Sequence, residues 1–141
     1  MIKNLSIEDI KNFWNKRPCN IRHSDKEIGS KEYFYEVQKR RYFVEPHIKE
    51  FLDFDKWKGK NVLDLGCGIG TDAISFALAG ANVDAIDISE KSLKIARKMI
   101  ESWGLYNIRL LQWDLELLNT FLINHYDLIY SIGVIHHTLN P

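Results

Sequence analysis

Val62-Leu63-Asp64-Leu65-Gly66-Cys67-Gly68-Ile69-Gly70-Thr71 is an apolar run that passes into three alternating glycines. About twenty residues on, a second run, Val83-Asp84-Ala85-Ile86-Asp87, ends in a carboxylate. A buried strand leading to a glycine turn, with an acid closing the next strand, is a nucleotide-site signature: glycine lets the main chain touch a ligand, and the acid is placed to accept from a ribose diol. The spacing narrows the ligand. A dinucleotide fingerprint reads G-x-G-x-x-G, whereas Gly66, Gly68 and Gly70 read G-x-G-x-G, with the third glycine one place early. Asp72 then falls in the first turn of the next helix, where a carboxylate repels a pyrophosphate and suits an ammonium or a sulfonium.

Outward from that stretch the pattern is β-α-β-α-β. It predicts a strand at 61–65, a helix from 71 to about 79 ending at Gly80, a strand at 82–87, a helix at 90–103 between Ser89 and Gly104, and a strand at 107–112. A short helix near 115–123 and a fourth strand at 127–131 follow. Alternation of this kind with continuous apolar strands implies a parallel sheet covered on both faces. Upstream, Ser6 can cap a helix whose Ile7, Ile10, Phe13 and Trp14 form one apolar face before Pro18. A polar connector spans 20–29. A second helical segment then starts at Ser30, carries Tyr33, Phe34, Val37, Tyr42 and Phe43, breaks near Pro46 and resumes through Ile48, Phe51 and Leu52. The expected organisation is a helical cap over 1–57 and a sheet core over 58–141.

The chain has 141 residues, 45% of them hydrophobic and 27% charged, enough for one globular core. Nineteen basic and nineteen acidic side chains cancel, so no net field draws nucleic acid or a membrane surface; the only basic run is Lys39-Arg40-Arg41. Cys19 and Cys67 lack metal-site spacing, no N-terminal apolar run has signal length, and no stretch approaches the roughly twenty apolar residues of a membrane span, so a cytoplasmic setting is expected.

Four segments in order resemble the motifs of class I S-adenosylmethionine (SAM)-dependent methyltransferases: the glycine stretch above; Val83-Asp84-Ala85-Ile86-Asp87-Ile88-Ser89; Leu111-Gln112-Trp113-Asp114; and Tyr126-Asp127-Leu128-Ile129-Tyr130-Ser131-Ile132-Gly133-Val134-Ile135-His136-His137. The resemblance covers roughly 58–138. It implies a doubly wound, Rossmann-like α/β sheet and transfer of a methyl group from SAM to a small-molecule acceptor, leaving S-adenosylhomocysteine (SAH). Family members have seven strands and this chain has residues for four, so the resemblance implies a core incomplete at its C-terminus and a fourth strand with an open edge, which invites self-association.

The same resemblance distributes roles. Gly66, Gly68 and Gly70 pass under the donor, Asp64 faces its ammonium, often through water, and Asp87 accepts from both ribose hydroxyls. Asp114 meets the adenine with Trp113 and Ile88 on its faces, unless the Trp-Asp pair is a packed indole and a helix cap. Thr71 and Asp72 lie at the methionine end, where Asp72 contacts the donor or merely caps. Cys67 packs rather than reacts, and Ser131 completes the donor set. His136 and His137 are either a general base or a wall of the acceptor pocket. Tyr33, Tyr35, Arg41 and Tyr42 of the N-terminal lid reach donor or acceptor, or form core. Two other readings stand beside the methyltransferase: a donor-binding module without turnover, and an NAD-dependent oxidoreductase, which the glycine spacing and Asp72 disfavour.

Overall fold

Capping chemistry written into the sequence sets the helix ends. A computed structural model describes residues 5–118 and 124–139. Ser6 and Asp9 form a reciprocal capping box at the start of α1, Ile7–Lys16. The Ser30 side chain accepts from the Tyr33 N–H to open α2, Lys31–Val44, and Pro46 fills the first turn of α3, Pro46–Leu52, where its missing N–H costs nothing. The strands are β1, Asn61–Leu65; β2, Asn82–Asp87; β3, Ile108–Gln112; and β4, Leu128–Tyr130. Between them lie α4, Thr71–Leu78, and α5, Glu90–Trp103, the latter capped by Ser89 and stopped by Gly104 at φ 63°. Strand and helix limits differ from the expected ones by a residue or so, as frayed ends do. The helix expected near 115–123 is a single 3-10 turn at Leu115–Leu117; residues 119–123 of that prediction lie outside the described residues.

The four strands are parallel in the order β3-β2-β1-β4. This is the doubly wound Rossmann-like arrangement. The steps from β1 to β2 and from β2 to β3 run the same way, so right-handed crossovers put α4 and α5 on one face. Between β1 and β4 the direction reverses, which opens a crevice at the carboxyl ends of those strands. α2 packs on α4 and α5, and α1 on α5. Tyr33, Phe34, Val37, Ile48 and Leu52 share one buried cluster with Val62, Val83, Ala85 and Phe76, so α2 and α3 help build the core. Phe43 and Phe51 do not join it; they are 84% and 76% exposed. Among the described residues β4 has no strand on its outer side, and no helix is long and apolar enough to cross a membrane.

Candidate functional site: a cavity at the strand ends

The turn after β1 is pinned to β2. The backbone N–H groups of Gly66 and Cys67 both donate to the Ile86 carbonyl, at 2.8 and 2.9 Å. All three glycines take positive φ, 83°, 57° and 84°, which side chains resist. Their surroundings differ. A Cβ on Gly66 would meet Val134 at 2.3 Å and one on Gly70 would meet Ala96 at 3.1 Å, while one on Gly68 would meet nothing within 4 Å. Gly68 therefore bares its backbone to open space, and Gly70 serves close packing against α5.

Asp87, at the end of β2, ties this turn to the next helix. Its Oδ2 accepts from the Gly68 N–H at 2.7 Å and its Oδ1 from the Ser89 N–H at 2.8 Å. Burial raises its proton affinity, and these backbone donors pull it back. The two oxygens together offer about four acceptor directions, more than these backbone donors use, so acceptor capacity remains for a ligand.

These groups line a cavity of about 310 Å³. From the expected donor set the wall holds Gly66, Cys67, Gly68, Thr71, Asp87, Ile88 and Asp114, with His137 at the far side. Thr71 Oγ1 is buried without a hydrogen-bond partner, a polar atom awaiting one. Asp114 caps the 3-10 turn by accepting from the Glu116 N–H at 3.0 Å, as the capping alternative foresaw, and it also forms part of the cavity wall. Burial, then the charges of Asp64 and Asp87, push the Cys67 thiol well up, away from nucleophilic thiolate. The rings of His137 and Trp14 meet edge-on at 5.3 Å, and His136 and His137 lie 3.9 Å apart.

Asp64, Gly70, Asp72, Trp113, Ser131 and His136 do not line the cavity. Asp64 is 4% exposed behind it, paired across the sheet with Ala85 and Tyr130. Burial first, then Asp72, raise its carboxyl well above the usual range. Ser131 Oγ donates to the Leu65 carbonyl at 2.9 Å, extending the hold of β4 on β1. Trp113 is half exposed, with its backbone N–H donating to the Asp87 backbone carbonyl at 3.1 Å. Asp72 is neutralised: Arg41 grips it at 3.0 and 2.6 Å, and the Tyr42 hydroxyl donates to it at 2.8 Å. The charge argument against a pyrophosphate therefore loses its weight, because that carboxylate already has its counter-ion. Of the lid residues singled out, Arg41 reaches the cavity, Tyr33 is core and Tyr35 is exposed.

Ile7, Ile10 and Trp14 roof the cavity, with Glu45, Asn20 and Cys19 beside them. Their apolar helical period reads alike for a core face and a cavity face, which is why the sequence did not separate the two.

Residues 62–141 match the family described as Methyltransferase domain. The chain belongs to that methyltransferase family. It is similar to the ubiquinone biosynthesis O-methyltransferases of Nitrosospira multiformis, 37% identical over 84 residues, and Bordetella bronchiseptica, 42% identical over 84; each match covers 59% of this chain and 34% of the relative. The chain thus spans about a third of the length of these curated relatives. Among solved structures it resembles the magnesium protoporphyrin IX methyltransferase of Synechocystis. The form with bound SAM gives a TM-score of 0.66 at 24% identity, covering 92% of this chain and 62% of that one. The form with bound SAH gives 0.65 at 25%, covering 92% and 59%. These methyltransferase neighbours share the four-strand arrangement described above.

Proposed function

We propose that the chain binds SAM in the cavity at the ends of β1 and β2 and transfers its methyl group to an oxygen of a small-molecule acceptor. The observation that carries this is the pairing of Gly68, whose missing Cβ leaves open space, with Asp87, whose carboxylate lies at the cavity wall with acceptor capacity beyond its backbone donors. Membership of the methyltransferase family and the bound SAM and SAH of the Synechocystis enzyme support the donor; the O-methyltransferase relatives support oxygen as the acceptor atom. SAM supplies an electrophilic methyl on a positive sulfur, so the protein's task is to hold two reactants in line and dry.

Each residue has a share in that task. Asp87 accepts from the ribose hydroxyls, Asp114 and Ile88 take the adenine end, and the unpartnered Thr71 hydroxyl meets the polar methionine end, where Arg41, itself held by Asp72 and Glu45, lines the wall. His137, set against Trp14, walls the acceptor side. Asp64, Asp72 and Ser131 act from behind by shaping the turn and α4. Residues 1–57 serve as cap and 58–141 as the donor-binding core, and the side of β4 that carries no strand among the described residues is where a second copy pairs.

Titration calorimetry with SAH and, in parallel, NAD tests the donor, and SAH release with phenolic and aliphatic alcohols tests turnover. SAH is expected to bind and NAD is not. Asp87→Ala is expected to weaken SAH at least tenfold, since a hydrogen bond to a charged group contributes about 1.5–3 kcal/mol. Binding of NAD without SAH would reinstate the oxidoreductase, and SAH binding with no turnover would leave a donor-binding module.

A further inference from the structure

The roof of the cavity is held in place from outside. No residue of α1 is buried, and a helix of 10 residues that leans only lightly on its neighbours is marginal by itself. Its apolar side, Ile7, Ile10 and Trp14, faces the cavity. Near its C-terminal end Asn15 Oδ1 accepts from the Ser89 hydroxyl at 3.0 Å and from the Lys91 N–H at 3.3 Å. Ser89 is fully buried. Its hydroxyl also accepts from the Ser92 N–H to cap α5, and its own N–H donates to Asp87 Oδ1, while Asp87 Oδ2 holds the Gly68 N–H. One chain of hydrogen bonds thus runs from α1 through Ser89 and Asp87 to the glycine turn.

We propose that α1 is the lid of this cavity and that Asn15 is its latch, a positioning residue that joins lid closure to the acid expected to grip the ribose. The lid role rests on the donor reading above. Asn15 is not part of the cavity wall, so its contribution is indirect. With the latch made, Ile7, Ile10 and Trp14 stay over the ligand and keep water out; with it broken, α1 has little to prevent it from swinging away or fraying. Such a residue governs escape of the ligand more than its capture, because among variants of one site differences in affinity fall mainly on the dissociation rate.

Two measurements on the full chain, wild type against Asn15→Ala, test this. In the unliganded protein the amides that close α1, Ile10 to Arg17, are expected to exchange with solvent about tenfold faster in Asn15→Ala, the weight of one or two hydrogen bonds, with β1 to β3 unchanged. In stopped flow, SAH is expected to dissociate about tenfold faster while its association rate stays within about twofold. Asn15→Asp, which keeps the accepting oxygen, restores both. Equal exchange of α1 in wild type and Asn15→Ala would remove the latch; faster exchange with unchanged SAH release would leave a latched helix that is no lid. Failure of the wild type to bind SAH at all would end the donor reading instead, and the exchange comparison would still decide the latch.

Discussion

A single carboxyl in the wrong solvent shows how much this sheet tolerates. Asp64 sits in the middle of β1 with 4% exposure, and the buried Tyr130 hydroxyl lies close enough that the carboxyl raises the hydroxyl's proton affinity while the hydroxyl lowers that of the carboxyl, too weakly to offset burial. The ordinary value of such a carboxyl is 3.8, and burial followed by the Asp72 charge lifts it far above that in the folded chain. Between the two values the folded state keeps a proton that the unfolded chain has lost. Stability contributed by Asp64 is thus present at low pH and drains away as pH rises through the folded value. Asp84 works the opposite way: against the raising effect of its burial, hydrogen bonds from Arg109 and Tyr126 and the Arg109 charge hold it below 3.8, so its contribution is lost as pH falls. Asp64→Asn, neutral at every pH, is expected to be more stable than wild type at pH 7 to 8 and to lack the decline above the ordinary carboxyl range. Urea unfolding from about pH 4 to 8 would measure it. An unchanged slope in the variant would mean that Asp64 is ionised in the fold.

Between elements, the strongest polar tie among the described residues joins α2 to α4. Arg41 and Asp72 are 12% and 8% exposed, and the guanidinium meets the carboxylate through two nitrogens. Arg41→Ala strands a buried carboxylate and is expected to cost about 3–5 kcal/mol; adding Asp72→Asn should recover much of it, a coupling that a double-mutant cycle in chemical denaturation reads directly. Simple additivity would show that the pair is mainly spectator. This tie also marks where reading the sequence stops. The alternation of strands and helices, the Ser6, Ser30 and Ser89 caps and the Gly104 stop are local chemistry, visible in a few adjacent residues. That Asp72 would find its counter-ion 31 residues upstream is not local, because only tertiary packing brings α2 onto α4. The glycines divide in the same way. Positive φ at Gly66, Gly68 and Gly70 is implied by their spacing, but that only Gly68 faces open space depends on Val134 and Ala96 arriving from elsewhere.

At the scale of the molecule, the reversal of strand order decides both the site and the liability. It opens the crevice between β1 and β4, and it leaves β4, three residues long, with a bare outer edge among the described residues. Pairing of two copies there is expected to make the sedimentation coefficient rise with protein concentration, and a constant coefficient would dispose of it. The cavity wall reaches from Ile7 in the first helix to Thr138 beyond the last described strand. Roof and floor of the cavity thus come from segments far apart in the chain and meet only when the sheet is assembled. Ligand-dependent resistance to a protease should accordingly appear only in chains that carry both segments, which makes the small molecule a witness that the two have met.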